Sequence, residues 1–161
     1  MRFYGEVYQA VELRTGSKVA IKLDMRNNSE MEREIEYLKK LNGQSEYIPQ
    51  ILEYGRFSGI SYFVMTLLGK NLSDLKRKRM NRKFTLSTVL RCMRQMVFGL
   101  RDIHNCGLIH RDIKPANFSI GRINKKKIYI FDFGLASEFN TGPEKATVGF
   151  RGTNTYEKFE K

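Results

Sequence analysis

The sequence predicts an α+β fold organised in two lobes, and three observations predict it. Up to residue 67 the chain reads as strand-like runs joined by turn residues around one amphipathic helix. From Asn71 to Asn105 it reads as helices, and the change falls at Gly69. The stretch Gly107–Gly134 then places polar residues on either side of a short strand-like run, and the rest of the chain is organised around it. The expected division is a strand-rich lobe with its hinge at 1–68 and a more helical lobe at 69–161.

Each element has a local reason. Glu6–Leu13 is rich in β-branched and apolar residues, Arg14–Ser17 is a turn, and Lys18–Asp24 is a second strand, which makes a hairpin. Ser29-Glu30-Met31-Glu32 has capping-box spacing. Met31, Ile35, Leu38 and Leu41 follow at helical spacing until Gly43. Gln50–Arg56 and Ile60–Leu67 flank Phe57-Ser58-Gly59 as a second hairpin, and Asn71–Met80 reads as a short basic helix. Leu86–Asn105 is a long helix with an apolar stripe at Leu86, Val89, Leu90, Met93, Val97, Leu100 and Ile103, stopped by Gly107. Lys127–Phe131 is a strand that presents Asp132 at its end. There is no internal repeat and no low-complexity tract.

Composition narrows the class. At 161 residues, 41% hydrophobic and 12% aromatic, the chain is sized for one domain with a real core and is not disordered. No apolar run is long enough for a membrane span, and the first residues lack the apolar core of a signal peptide. Cys92 and Cys106 read as reduced thiols of a cytoplasmic protein, with the nucleus as the alternative compartment. The net charge of +12 is shared by several partner classes: nucleic acid, an anionic membrane surface, acidic substrates, or water alone. Much of it sits in Lys76–Arg79 with Arg82 and Lys83, and in Arg122 with Lys125–Lys127. These read as a solvated helix face and a charged hairpin tip, or as attraction for acidic or phosphorylated protein segments. No nucleic-acid motif accompanies them, and no aromatics are set among them.

The polar residues of Gly107–Gly134 suit phosphoryl transfer. His110-Arg111-Asp112-Ile113-Lys114-Pro115-Ala116-Asn117 matches the protein-kinase catalytic-loop pattern H-R-D-L-x-x-x-N with Ile for Leu, and Asp132-Phe133-Gly134 matches D-F-G. One carboxylate must accept a hydrogen bond from the incoming hydroxyl, which is the role for Asp112; two further oxygen ligands must hold Mg²⁺ on the phosphates, which Asn117 and Asp132 can supply. Upstream, Val19-Ala20-Ile21-Lys22 matches V-A-I-K, whose lysine holds the α/β-phosphates and pairs with a helix glutamate. Glu34 is the best-placed partner, with Glu30, Glu32 and Glu36 as competitors. Of a phosphate-covering glycine loop only the end is recognisable, Gly5-Glu6-Val7, and Arg2 stands at its second glycine position.

Taken together the chain resembles the casein kinase 1 superfamily of serine/threonine kinases, and within it the nematode-like tau-tubulin kinase branch. The resemblance rests on GEVYQAVELRTGSKVAIK, MEREIEYLKKLNG, YFVMTLLGKNLSDLKR, FTLSTVLR, GLIHRDIKPANFSIGR, YIFDFGLA and VGFRGTNTY, which cover nearly all of residues 4–156. It implies a two-lobed protein-kinase fold with ATP in the cleft, a β-rich N-lobe without its first strand, and a partial helical C-lobe ending after the activation segment. It implies the Lys22–Glu34 ion pair, Asp112 as catalytic aspartate, Lys114 as γ-phosphate lysine, and Asn117 and Asp132 as Mg²⁺ ligands. Val7 and Ala20 would roof the adenine beside Gly5, Met65 would be the gatekeeper, and Thr66, Leu67 and Leu68 the hinge. Thr153 would hydrogen-bond near Asp112. Two further positions depart from the pattern: Ser119 replaces a small or apolar floor residue, and Thr155 replaces an arginine that helps bind a priming phosphate.

The expected activity is transfer of the ATP γ-phosphate to serine or threonine of a protein substrate, with ATP and Mg²⁺ as cofactors. The expected partner is an acidic or phosphorylated protein region, with no nucleic acid and no membrane span. The sequence leaves the oligomeric state open, with a monomer as the working expectation. The alternative is a catalytically impaired, kinase-like binding module, motivated by Arg2 and by the missing part of the C-lobe.

Overall fold

The computed structural model describes residues 6–25 and 29–138. Gly5, Arg2, Thr153, Thr155 and the run VGFRGTNTY lie outside the described residues. The first part of the chain forms an antiparallel sheet of β1 (Glu6–Val11), β2 (Lys18–Asp24), β3 (Ile51–Phe57) and β4 (Ile60–Thr66), in the order β1-β2-β4-β3. Both hairpins form where the turn residues lie. Ser58 and Gly59 make a two-residue connection between β3 and β4 with φ of 48° and 81°, the left-handed pair that matches strand twist. The first strand ends at Val11, before Leu13, which is exposed.

Helix α1 (Ser29–Leu41) begins at Ser29 itself, so Ser29 is the first helical residue and not the cap before it. Its buried residues are Met31, Glu34, Leu38 and Leu41, a stripe at helical spacing with one carboxylate in it.

The second part starts with a change of sheet. Leu67 alone separates β4 from β5 (Leu68–Asn71), and β5 pairs with β7 (Phe118–Gly121), which pairs with β8 (Ile128–Ile130). Helix α2 is short (Leu72–Arg77) and capped by Asn71, whose side chain accepts the Asp74 N–H at 2.8 Å. Helix α3 (Leu86–Asn105) has Thr85 as its cap, accepting from the Thr88 N–H. A two-residue strand β6 (Leu108–Ile109) pairs with β9 (Ser137–Glu138).

The α3 stripe is only partly a core face. Ile103 is buried, whereas Leu86, Leu90, Met93 and Val97 are exposed among the described residues. The helix instead turns Cys92, Met96, Gly99 and Ile103 inward, a neighbouring row at the same spacing. Gly99 lets it approach closely: a Cβ there would lie 2.7 Å from Ile130 Cδ1 and 2.9 Å from Tyr47 Cβ. One core cluster joins the two sheets, running from Leu38, Leu41 and Phe63 to Leu108, Ile130 and Phe133.

Candidate active site

Lys22 is carried by β2 and Glu34 by α1. The Lys22 ammonium donates to both Glu34 oxygens, at 2.8 and 2.6 Å, so of the four candidate glutamates it is Glu34 that meets the lysine. Glu32 and Glu36 are exposed, and Glu30 is half-buried. Burial by itself would lower the Lys22 pKa, but the Glu34 and Asp132 carboxylates outweigh it and hold the ammonium above its ordinary value. Burial holds the Glu34 carboxyl above its ordinary value, with Lys22 pulling against it. With two short charge-assisted contacts the pair is ionised. Asp132 Oδ1 lies 3.7 Å from the same ammonium, which links the first sheet to the end of β8.

The strand register puts further residues on the Lys22 face. Val7 and Phe63 sit directly opposite Lys22, and Ala20, two residues back, sits opposite Met65. Ala20 is buried, Met65 is half-buried against the core, and Val7 is exposed. Leu67 is half-buried at the crossing between sheets. Ser119 is buried in β7.

The catalytic-loop residues converge on Asp112. Asn117, the last residue of a single 3₁₀ turn that Pro115 begins, donates Nδ2 to the Asp112 backbone oxygen and to its Oδ2, both at 2.9 Å. Lys114 Nζ lies 2.6 Å from the same Oδ2. Asp112 and Asn117 are both buried. The Phe131 N–H donates to the Asn117 backbone oxygen at 3.1 Å, so Asp132, the next residue, is brought beside Asn117. Asp132 has φ of 70° and Arg111 φ of 60°, left-handed conformations that carry strain in a residue with a Cβ.

Two residues that carry no assigned role in the motif hold this loop. His110 is buried, tilts against the Phe133 ring at 5.0 Å, donates Nε2 to the Phe131 oxygen at 3.1 Å and accepts the Asp112 N–H on Nδ1 at 3.3 Å. Those two bonds define the neutral tautomer, and burial lowers its pKa. Arg111 donates to the Leu135 oxygen at 2.8 Å, tying the loop to the residues after D-F-G. The motif names His110 and Arg111, but nothing in residue spacing shows which backbone oxygens they meet.

Comparison with known proteins identifies the family. The family model for the protein kinase domain matches residues 3–159, and the chain belongs to that family. A Dictyostelium discoideum protein named a probable serine/threonine-protein kinase is 36% identical over 162 residues, covering 95% of this chain and 32% of its own length. A Caenorhabditis elegans protein named provisionally as a casein kinase I is 30% identical over 165 residues, covering 95% of this chain and 48% of its own length. The chain thus spans about a third of the first relative's length and about half of the second's.

Proposed function

We propose that the chain carries the catalytic centre of a serine/threonine protein kinase of the casein kinase 1 type, with tau-tubulin kinase-like features. The observation that carries this is the convergence of Asn117 and Lys114 on the Asp112 carboxylate, beside a Lys22–Glu34 pair that also reaches Asp132. These residues fit a nucleotide and its metal. Asn117 spends its N–H groups on Asp112, which leaves its Oδ1 with no donor among the described residues, and Asp132 is partly open to solvent. Two oxygen side chains are what Mg²⁺ needs when phosphates complete its shell. Bound Mg²⁺·ATP supplies the phosphoryl group and the divalent charge that offsets its oxygens.

The protein's own part is positioning. Lys22, held by Glu34, keeps an ammonium fixed in the cleft for phosphate oxygens. Asp112 accepts the hydrogen bond of the incoming hydroxyl and aims it. Lys114 shares the Asp112 oxygen and adds positive charge where the transferred group carries negative charge. The substrate is then a serine or threonine hydroxyl of a protein.

The test is phosphate incorporation into a serine-containing peptide by the protein that carries this chain. Asp112→Asn should lower kcat by about 10²-fold or more, the range for a positioned acid–base group. Equal incorporation by wild type and Asp112→Asn would overturn the reading in favour of a kinase-like binding module.

A further inference from the structure

A groove of about 630 Å³, with none of Lys22, Glu34, Asp112 or Asp132 in its lining, lies between the α2–α3 connection, α3 and the β7–β8 turn. Five cations line it: Arg79, Arg91, Arg94, Lys125 and Lys126. All five are exposed, the lining holds no Asp or Glu, and none of the five forms an ion pair among the described residues. Lys127, which belongs to the same basic run, is different: it pairs with Glu46 and lies 3.9 Å over the Tyr47 ring. The floor is apolar, with Leu75, Phe84, Phe98, Ile120 and Ile128. The turn that carries Lys125 and Lys126 is held to α3, because Gln95 donates to the Lys126 oxygen at 2.9 Å and accepts the Ile128 N–H at 3.0 Å.

We propose that this groove docks an acidic segment of the protein substrate, rich in Asp and Glu and carrying an apolar side chain for the floor. The word substrate rests on the kinase reading; the docking itself does not. Charge complementarity selects the occupant, since five uncompensated cations around an apolar floor match carboxylates around an aliphatic side chain. Nucleic acid fits less well. Base stacking needs open aromatic faces, and here Phe84 already carries Arg79 at 5.1 Å, while Phe98 carries Arg94 at 5.6 Å and Arg101 at 5.1 Å. The position also suits substrate delivery. Leu72, Phe84 and Cys92 line both this groove and an adjoining apolar hollow that reaches Ile113, Lys114 and Pro115 of the catalytic loop.

The experiment is fluorescence anisotropy of a labelled peptide of Asp and Glu around one Leu, titrated with the full chain. A Lys-for-acid peptide, a phosphoserine peptide and a poly-U RNA serve as competitors. The acidic peptide should bind, weaken as salt rises, and be displaced poorly by the lysine peptide and the RNA. Lys125→Glu with Lys126→Glu should weaken it about tenfold or more, as expected when close opposite charges become like charges. Arg91→Glu, on the exposed side of α3, should act in the same direction, and circular dichroism shows whether each variant is folded. Equal binding of acidic and lysine peptides would overturn the proposal. So would binding of the phosphopeptide alone, tighter binding of the RNA, or folded variants that bind the acidic peptide as wild type does. A kinase assay with acid-tailed and plain peptides separates the two claims. Docking raises KM for the acid-tailed peptide alone in the lysine variants, whereas failure of the kinase reading abolishes turnover and leaves the anisotropy intact.

Discussion

His110 sits where the catalytic loop meets the segment after β8, with both ring nitrogens engaged. Its pKa is lowered by burial, so the folded protein resists a proton that the unfolded chain takes up near the ordinary value of 6.5. Its contribution to stability is therefore present above pH 6.5 and is lost as pH falls through the lowered folded value. One resisted proton amounts to at most about 1.4 kcal/mol per pH unit. Urea unfolding at pH 7.5, 6.5, 5.5 and 5.0 should show His110→Gln less stable than wild type at pH 7.5 but with a shallower acid loss. Parallel pH profiles would mean that the ring is not held neutral. The sequence names His110 only as a motif letter. Its role depends on the Phe131 oxygen, which lies 21 residues away and comes near only when β7 and β8 pair.

At the scale of elements, the clearest readings were those with long periodic patterns. Lys18–Asp24 and Leu86–Asn105 have the ends that the residues suggest, and α1 spans its whole apolar repeat. Of the strands of two to four residues, β8 falls within the legible run Lys127–Phe131, whereas β5, β6, β7 and β9 are too short for alternation to register and are defined by their partner strands. Helix α3 shows a different limit. Two apolar rows run along it, and periodicity cannot say which one meets β8. Gly99 marks the row that does, because only a residue without a side chain admits Ile130 and Tyr47 at that distance. Gly99→Val should therefore lower stability by about 2 kcal/mol or more, from overpacking and lost helix propensity. Tyr47 Cβ can retreat only with its backbone, so little relaxation is available. The measurement is the urea midpoint, and an unchanged midpoint would show that α3 is not seated on β8 as described. Since β8 leads into Asp132, the same substitution should also weaken Mg²⁺-dependent nucleotide binding.

At the scale of the whole molecule, the site is a junction. Lys22 comes from the first sheet, Glu34 from the helix beside it, Asn117 from the turn before β7, and Asp132 from the end of β8. The motifs made those residue types legible in the sequence, because the chemistry demands a carboxylate, an amide and an ammonium at fixed places. The sequence favours Glu34 over Glu30, Glu32 and Glu36 as the partner of Lys22, and burial gives the physical reason: the stripe through Met31, Leu38 and Leu41 takes Glu34 inward and leaves Glu32 and Glu36 outside. The left-handed backbone at Arg111 and Asp132 had no signal, since neither residue is glycine. The exposed basic residues were legible as charge but not as a groove, which forms only when the β7–β8 turn is pinned to α3.

The central claim is that residues from both sheets act on one Mg²⁺-nucleotide. Thermal unfolding with ATP, in the presence of Mg²⁺ or of a chelator, tests it directly in wild type and in Asp132→Asn, a substitution that keeps the side-chain shape and removes the charge. Wild type should gain stability with Mg²⁺·ATP, about 2.7 kcal/mol when ligand stands at a hundred times Kd. The chelator should remove most of that gain, and Asp132→Asn should lose the Mg²⁺-dependent part while unfolding near the wild-type temperature without ligand. A gain that is equal in both proteins, or indifferent to the chelator, would contradict the account.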